Sequence, residues 1–327
     1  MRIAEYLSMP ATDYRVKSLP YELVLLGLLA GLWGSSYLLI KIAVATIPPI
    51  TLIAMRVSLA AVFLLLVMRF QGVQIRRGWS TWQMLLIQAF FNSIASWTVL
   101  AWGQQHVDSS LAGVLNSTSP IFVLFITLLF TRHEAVTVWK LTGALLGVVG
   151  VALIMGLDAL RGVGQQIAGQ LAILLGALFY GFAAIYGKRF SSIAPAVTAT
   201  GTMMWATACL VPLSLVVDKP WTLNLSAQST VAAMVLGVLC TGFALLLYFR
   251  LVRTIGSMGV ASQSYLRAGV SVVLGTSILG EHITVEIGIG LAAIIIGVVV
   301  INVPSRTFNT QQPLSRKLAG CDVSMKI

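Results

Sequence analysis

The chain has 327 residues, of which 58% are hydrophobic and 9% charged, with a mean hydropathy of +0.93 and a formal net charge of +11. A soluble domain carries about 25% charged residues, so most of this surface is expected to face lipid, and the basic excess to set membrane topology rather than bind nucleic acid. Three cysteines (Cys209, Cys240, Cys321) form no CxxC pair and three histidines (His106, His133, His282) are scattered, so neither a metal site nor a cofactor is expected.

In chain order, residues 1–21 are a polar tail, and the apolar run that follows is too long for the h-region of a signal peptide. A helix needs about 20 apolar residues to cross a bilayer. Ten stretches meet that need: 22–45, 48–69, 81–103, 109–131, 137–157, 167–188, 196–217, 228–250, 256–279 and 284–303. Charged or turn-forming residues punctuate the joints, among them Pro48-Pro49, Arg76-Arg77-Gly78, Arg132-His133-Glu134, Lys188-Arg189 and Asp218-Lys219-Pro220. Short joints require neighbouring spans to be antiparallel. The C-terminal tail, 304–327, is polar and basic and is expected to lie near anionic lipid.

The second half repeats the first at a constant spacing of 147 residues. Gly34 pairs with Gly181, Lys41 with Lys188, Pro48 with Pro195 and Thr51 with Thr198; Ser110 pairs with Ser257, Glu134 with Glu281, Gly143 with Gly290 and Gly150 with Gly297. Repeat one is assigned to 22–157, an outer linker to 158–166 and repeat two to 167–303. With the N-terminus in the cytoplasm and ten spans, 16 of the 21 Lys and Arg residues fall inside, three outside (Lys41, Arg161, Lys219) and two within spans (Arg56, Arg267). That is the bias of the positive-inside rule, and one miscounted span would destroy it. Five spans per repeat is odd, so the second repeat enters from the opposite side. The expected fold is all-α and integral to the membrane, with ten transmembrane helices in two inverted five-helix repeats, the arrangement that underlies alternating access.

The order Leu32-Trp33-Gly34-Ser35-Ser36 to Lys41, Pro48 to Arg56, Ser110 through Pro120 to Glu134, and Gly143, Gly147, Gly150 resembles the EamA-type branch of the drug/metabolite transporter superfamily. Phe179-Tyr180-Gly181, Lys188, Gly259, Glu281, Gly290 and Gly297 echo it in repeat two, so the likeness spans about residues 22–303. The resemblance implies a small-molecule permease of a bacterial inner membrane, often an exporter of amino acids, related metabolites or drugs. The family pattern places an arginine near Arg56 whatever the substrate, which points to architecture or gating. One departure stands out: Pro120 has no proline partner, because Arg267 occupies position 267.

Arg267 shares a helix face with Ser264 and Ser271. A charge at bilayer depth costs about 2.5–3.5 kcal/mol on insertion scales and marks a functional site by default. It is expected to pair with an anionic group of the substrate, with a structural bond to helix carbonyls as the alternative. Asn92 and Asn116 are intramembrane amides that either bond between helices or line a cavity. Pro120 frees the carbonyl of residue 116 and bends its helix or opens a cavity wall. Trp33, Tyr37, Trp97, Trp102, Tyr180 and Tyr265 are candidate walls, Trp33 and Tyr180 being related by the repeat. The expected substrate-binding set is thus Arg267, Ser264, Ser271, Tyr265, Asn92, Asn116, Trp33, Tyr180 and Arg56. Gly27, Gly31, Gly143, Gly147 and Gly150 are expected to form packing seams.

None of the ten acidic residues falls at the centre of a span, so export of hydrophobic cations, which relies on a midplane carboxylate, is disfavoured. Glu134 and Glu281 end repeat-related spans, either as gate latches or as simple helix-end charges. The expected activity is secondary transport of a zwitterionic or anionic metabolite, with amino acid export first and import of a vitamin or nucleotide-like compound second. A membrane-embedded enzyme would need clustered acids, bases or metal ligands at one depth, which this chain lacks. The expected partners are a small-molecule substrate and membrane lipid, with protons as a candidate coupling ion and a monomer or weak homodimer as the assembly.

Overall fold

The computed structural model describes residues 19–72, 78–130, 138–155, 165–190, 193–254, 263–282 and 284–302. These fold into helices joined by short turns, with no strand among the described residues. In chain order they are α1 (Leu19–Ala43), α2 (Pro49–Phe70), α3 (Trp79–Ala89), α4 (Ser96–His106), α5 (Ser109–Asn116), α6 (Ser119–Phe130) and α7 (Val138–Met155), then α8 (Gln165–Gly187), α9 (Pro195–Val217), α10 (Ala227–Gly237), α11 (Ala244–Thr254), α12 (Gln263–Leu279) and α13 (Val285–Asn302). A π-helical segment, Phe90–Ala95, joins α3 to α4, and a second, Val238–Phe243, joins α10 to α11.

Among the described residues, seven helices are long and apolar enough to cross a membrane: Pro20–Ala43, Pro49–Phe70, Trp79–His106, Ser109–Thr127, Gln166–Gly187, Ala196–Val217 and Ala227–Tyr248. In the other three expected regions the apolar helical stretches are shorter: Leu141–Gly150, Leu266–Leu279 and Val285–Gly297. Large apolar side chains point outward along the helices, for example Val24, Leu66, Leu145, Val216 and Val231, as lipid contact requires.

Local sequence explains the helix boundaries. Pro49 and Pro195 open α2 and α9 at the first-turn position where proline's missing N–H costs nothing. The two helices end alike. Gly72 follows α2 with φ +66°, and Lys219, 147 positions later, follows α9 with φ +48°. Helices commonly close on a left-handed residue, and glycine is the one that adopts it without strain. In repeat two a lysine bears that conformation. Between α5 and α6 the helix breaks at Ser117-Thr118, just before Pro120, and the carbonyl of Asn116 accepts a hydrogen bond from Ser119 Oγ at 2.6 Å.

Contacts between the halves recur with their partners exchanged. A Cβ added at Gly34 would stand 2.6 Å from Val270 Cβ; at Gly181 it would stand 3.3 Å from the Val123 nitrogen, and Val123 is the repeat mate of Val270. A Cβ at Gly150 would lie 2.7 Å from the Gly290 carbonyl, and one at Gly297 would lie 2.5 Å from the Gly143 carbonyl. These last two contacts form the seam between α7 and α13. The expected seam at Gly27 and Gly31 is not seen among the described residues: none of their atoms in a neighbouring element lies within 4 Å of where a Cβ would be. Those glycines face outward or into slack space because α1 packs through its other side, where Leu26, Leu29 and Ala30 are buried.

One exchanged pair differs chemically. Glu22 of α1 meets Arg250 of α11 at 3.1 Å, almost wholly shielded, and also accepts a hydrogen bond from Thr254 at 2.9 Å. Their repeat mates are Gly169 and Gly103, which pack backbone to backbone: a Cβ at Gly103 would stand 2.7 Å from the Gly169 carbonyl.

Candidate functional site

Tyr37 of α1 is the hub of a polar cluster inside the bundle. Its hydroxyl accepts a hydrogen bond from Asn116 Nδ2 at 2.6 Å and its carbonyl one from Gln104 Nε2 at 2.8 Å. The Arg267 guanidinium lies over its ring, with Cζ 5.9 Å from the centroid. Gln104 comes from α4, and α5 and α12 supply Asn116 and Arg267. At one end of their contact, Ser110 of α5 stands against Gly275 of α12; one turn further, Gly113 stands against Ser271. The helices therefore run antiparallel, and the next turn brings Asn116 level with Arg267. Asn116 is 1% exposed and its Oδ1 has no partner; Arg267 Nε is also buried without one. Each such orphan costs about 1–3 kcal/mol.

A second guanidinium stands close by. Arg56 of α2 is 6% exposed, donates from Nε to Thr241 Oγ1 at 2.8 Å, and lies flat over the Trp97 indole at 3.9 Å. Thr241 sits in the second π-segment and donates onward to the Leu236 carbonyl, five residues back. The wide π-turn thus provides the acceptor that orients Arg56. Trp97 Nε1 donates to the Tyr180 hydroxyl, and Trp97 and Tyr37 lie in one buried cluster against which Tyr180 packs. Two arginines, two tyrosines, a tryptophan and an amide make one enclosure. Among the described residues no carboxylate pairs with Arg56 or Arg267: the ion pairs are Lys41–Asp108 and Glu22–Arg250, both at helix ends.

The expected site residues divide. Arg267, Asn116, Tyr180 and Arg56 are brought to this enclosure. Ser271 borders it, packed against Gly113, with its hydroxyl donating to the Ala268 carbonyl at 2.8 Å. Trp33 is not part of it; its ring stacks on Tyr248 at 5.4 Å in a separate apolar cluster with Leu26 and Leu29. Asn92 lies on the first π-segment and donates to Ser93 Oγ at 3.0 Å. The side chains of Ser264 and Tyr265 lie outside those described. Sequence reasoning ranked Tyr37 and Trp97 only as candidate walls and passed over Thr241 and Gln104. A tyrosine four residues before Lys41 carries no local mark of a hub, and the π-turn that presents Thr241 has no sequence signature beyond its recurrence in both repeats.

At one mouth of the α5–α12 seam, Glu281 closes the gap between the halves. Its Oε1 accepts from the Ser109 amide and hydroxyl, both at 2.8 Å; its Oε2 accepts from the Ser110 amide at 2.9 Å and from the Ser110 hydroxyl. Gly275 leaves the room this requires. Partial burial works against the charged form of Glu281, but the bonds from Ser110 and Ser109 outweigh it and hold the carboxyl below the ordinary glutamate range. Glu281 also meets the positive end of the α5 dipole. Its repeat mate Glu134 lies outside the described residues.

Comparison with known proteins gives a consistent family. Residues 22–156 and 167–303 each match the EamA-like transporter family. The uncharacterized transporter YoaV of Bacillus subtilis is 25% identical over 278 residues, covering 84% of this chain and 95% of that protein. The uncharacterized inner membrane transporter YedA of Escherichia coli K12 is also 25% identical, over 85% of this chain and 89% of its own. A solved crystal structure, 19% identical, superposes with a TM-score of 0.62 over 85% of this chain and 96% of the other; at that identity the likeness concerns fold alone.

Proposed function

The chain belongs to the EamA-like transporter family and is a multi-pass membrane transporter, not an enzyme; from that premise we propose that it moves small zwitterionic or anionic metabolites by alternating access, with amino acid export as its working direction. The observation that carries the cargo class is Arg267: a cation inside the bundle with a buried, unpartnered nitrogen, beside a tyrosine and an amide whose oxygen is also free. Arginine matches a carboxylate with paired hydrogen bonds, and a water-poor enclosure strengthens that pairing.

The transport cycle follows from two inverted repeats of five spans. Support comes from the contacts exchanged between the halves at a spacing of 147, and from three short apolar helices that complete the seven long ones. The strong inward bias of Lys and Arg supports both termini in the cytoplasm. On that topology the Glu281 mouth faces outward, and rocking of one repeat against the other would expose the Tyr37 cluster to each side in turn.

Counterflow of labelled amino acids into liposomes containing the purified protein tests the cargo class. A carboxylate-bearing solute is expected to accumulate, and Arg267→Ala to reduce its uptake at least about tenfold, the loss of roughly 1.4 kcal/mol. Uptake confined to cations or neutral solutes, or undiminished in the variant, would defeat the reading.

A further inference from the structure

Resting on the reading of the Tyr37 cluster as the cargo site, we propose that the cargo carries two acidic groups, one seated at Arg56 and one at Arg267: a dicarboxylate or an acidic amino acid. The charge inventory leads there. Of the ten acidic residues, the described ones are all engaged or exposed at helix ends: Glu22 with Arg250, Asp108 with Lys41, Asp218 with Thr51, Glu281 with Ser109 and Ser110, and Glu286 in the first turn of α13. The remaining five, Glu5, Asp13, Glu134, Asp158 and Asp322, fall in the tails or between apolar runs. The enclosure therefore holds two formal positive charges and no negative one among the described residues.

The two guanidiniums are separate seats. Arg56 is held by Thr241 and Trp97 and Arg267 lies over the Tyr37 ring, while Tyr37 and Trp97 share one buried cluster against which Tyr180 packs. A guanidinium has five N–H donors; among the described residues Arg56 uses only Nε and Arg267 forms no hydrogen bond. Aromatic faces soften a buried cation but bring no net charge. A monocarboxylate would neutralise one arginine and leave the other uncompensated in a low-dielectric interior, whereas a solute with two acidic groups answers both. The free Asn116 Oδ1 offers an acceptor for an ammonium group, which an acidic amino acid has and a plain dicarboxylate lacks.

The test compares wild-type protein in liposomes for counterflow and for thermal stabilisation by succinate, L-aspartate, butyrate and L-alanine. Succinate or L-aspartate is expected to half-saturate at a concentration at least about tenfold lower than butyrate or L-alanine. Preference for L-aspartate over succinate would assign Asn116 to the ammonium, and the reverse would assign a plain dicarboxylate; both support two acidic groups. Arg56→Gln should bring the two-acid solutes to within about twofold of the one-acid solutes, while continued binding of the latter shows that the variant is folded. Equal or tighter handling of the one-acid solutes by the wild type, or a ratio unmoved by Arg56→Gln, overturns this inference but leaves the carboxylate-transporter reading standing. Failure of all four solutes overturns both.

Discussion

Glu281 shows how much one side chain can do at a joint between two halves. All four of its hydrogen-bond donors belong to the other repeat, and the two amides among them can only donate, so the joint needs the carboxylate form. Glu281→Gln is expected to lower stability by about 1–2 kcal/mol, the low end for bonds to a charged group because the carboxylate is partly exposed. The pH dependence has a definite sign. A carboxyl held below its ordinary value stabilises the joint fully above about pH 4.3, and that contribution is lost as pH falls through the lowered value. Its charged neighbours are Asp108 and Lys41 beside the α5 N-terminus, His282 next in the chain and Glu286 in the first turn of α13. Thermal unfolding in detergent at pH 7 and at pH 4 checks this: the gap between wild type and variant should narrow in acid, and a constant gap would contradict it. At this scale the sequence pointed to single residues far better than to their company. Arg267 was conspicuous because a cation inside an apolar run is costly wherever it lands. Its neighbours were not, since Tyr37, Asn116 and Arg267 meet only after α1, α5 and α12 have packed. Trp33 shows the same limit: kinship with Tyr180 through the repeat does not say which way a ring turns, and Trp33 packs on Tyr248.

Helices in lipid associate through close packing, and the seam between α7 and α13 depends on having no side chain at Gly150 and Gly297. Gly297→Ala places a methyl 2.5 Å from the Gly143 carbonyl, a backbone atom that cannot swing aside. It is expected to cost about 1–3 kcal/mol. Gly27→Ala and Gly31→Ala meet nothing within 4 Å and should be neutral or stabilise by about 0.5–1 kcal/mol through the better helix propensity of alanine. Chemical denaturation of the three variants separates these cases, and equal effects would dissociate the seam from stability. Hydropathy and glycine spacing made the helices legible, but not which glycine faces a neighbour. Small residues four apart describe a face, and the partner is chosen by the whole bundle. The break at Ser117-Thr118 was foreshadowed by Pro120; the π-turns were not, because a one-residue widening leaves no mark in composition.

For the molecule as a whole, the duplication was the most legible property, since its register runs through the sequence without a gap, and it reappears in contacts exchanged between the halves. Hydropathy read along the sequence gives ten spans, of which seven are long apolar helices among the described residues. Charge topology makes a direct prediction. In a background of Cys209→Ser, Cys240→Ser and Cys321→Ser, a cysteine at Trp221→Cys should react with an impermeant maleimide in intact cells. One at Ser315→Cys should react only after permeabilisation. Both reacting from one side would break the proposed ten-span, termini-inside arrangement.

The pair Glu22–Arg250, whose repeat mates are Gly169 and Gly103, has a consequence for the exchangeability of the two halves. A tandem of two first halves, or of two second halves, would be crowded or left hollow at this joint: glutamate and arginine do not fit where backbones touch, and glycines cannot fill a space shaped for an ion pair. The two halves are a matched set, each bearing at this joint the complement of the other rather than a duplicate of it.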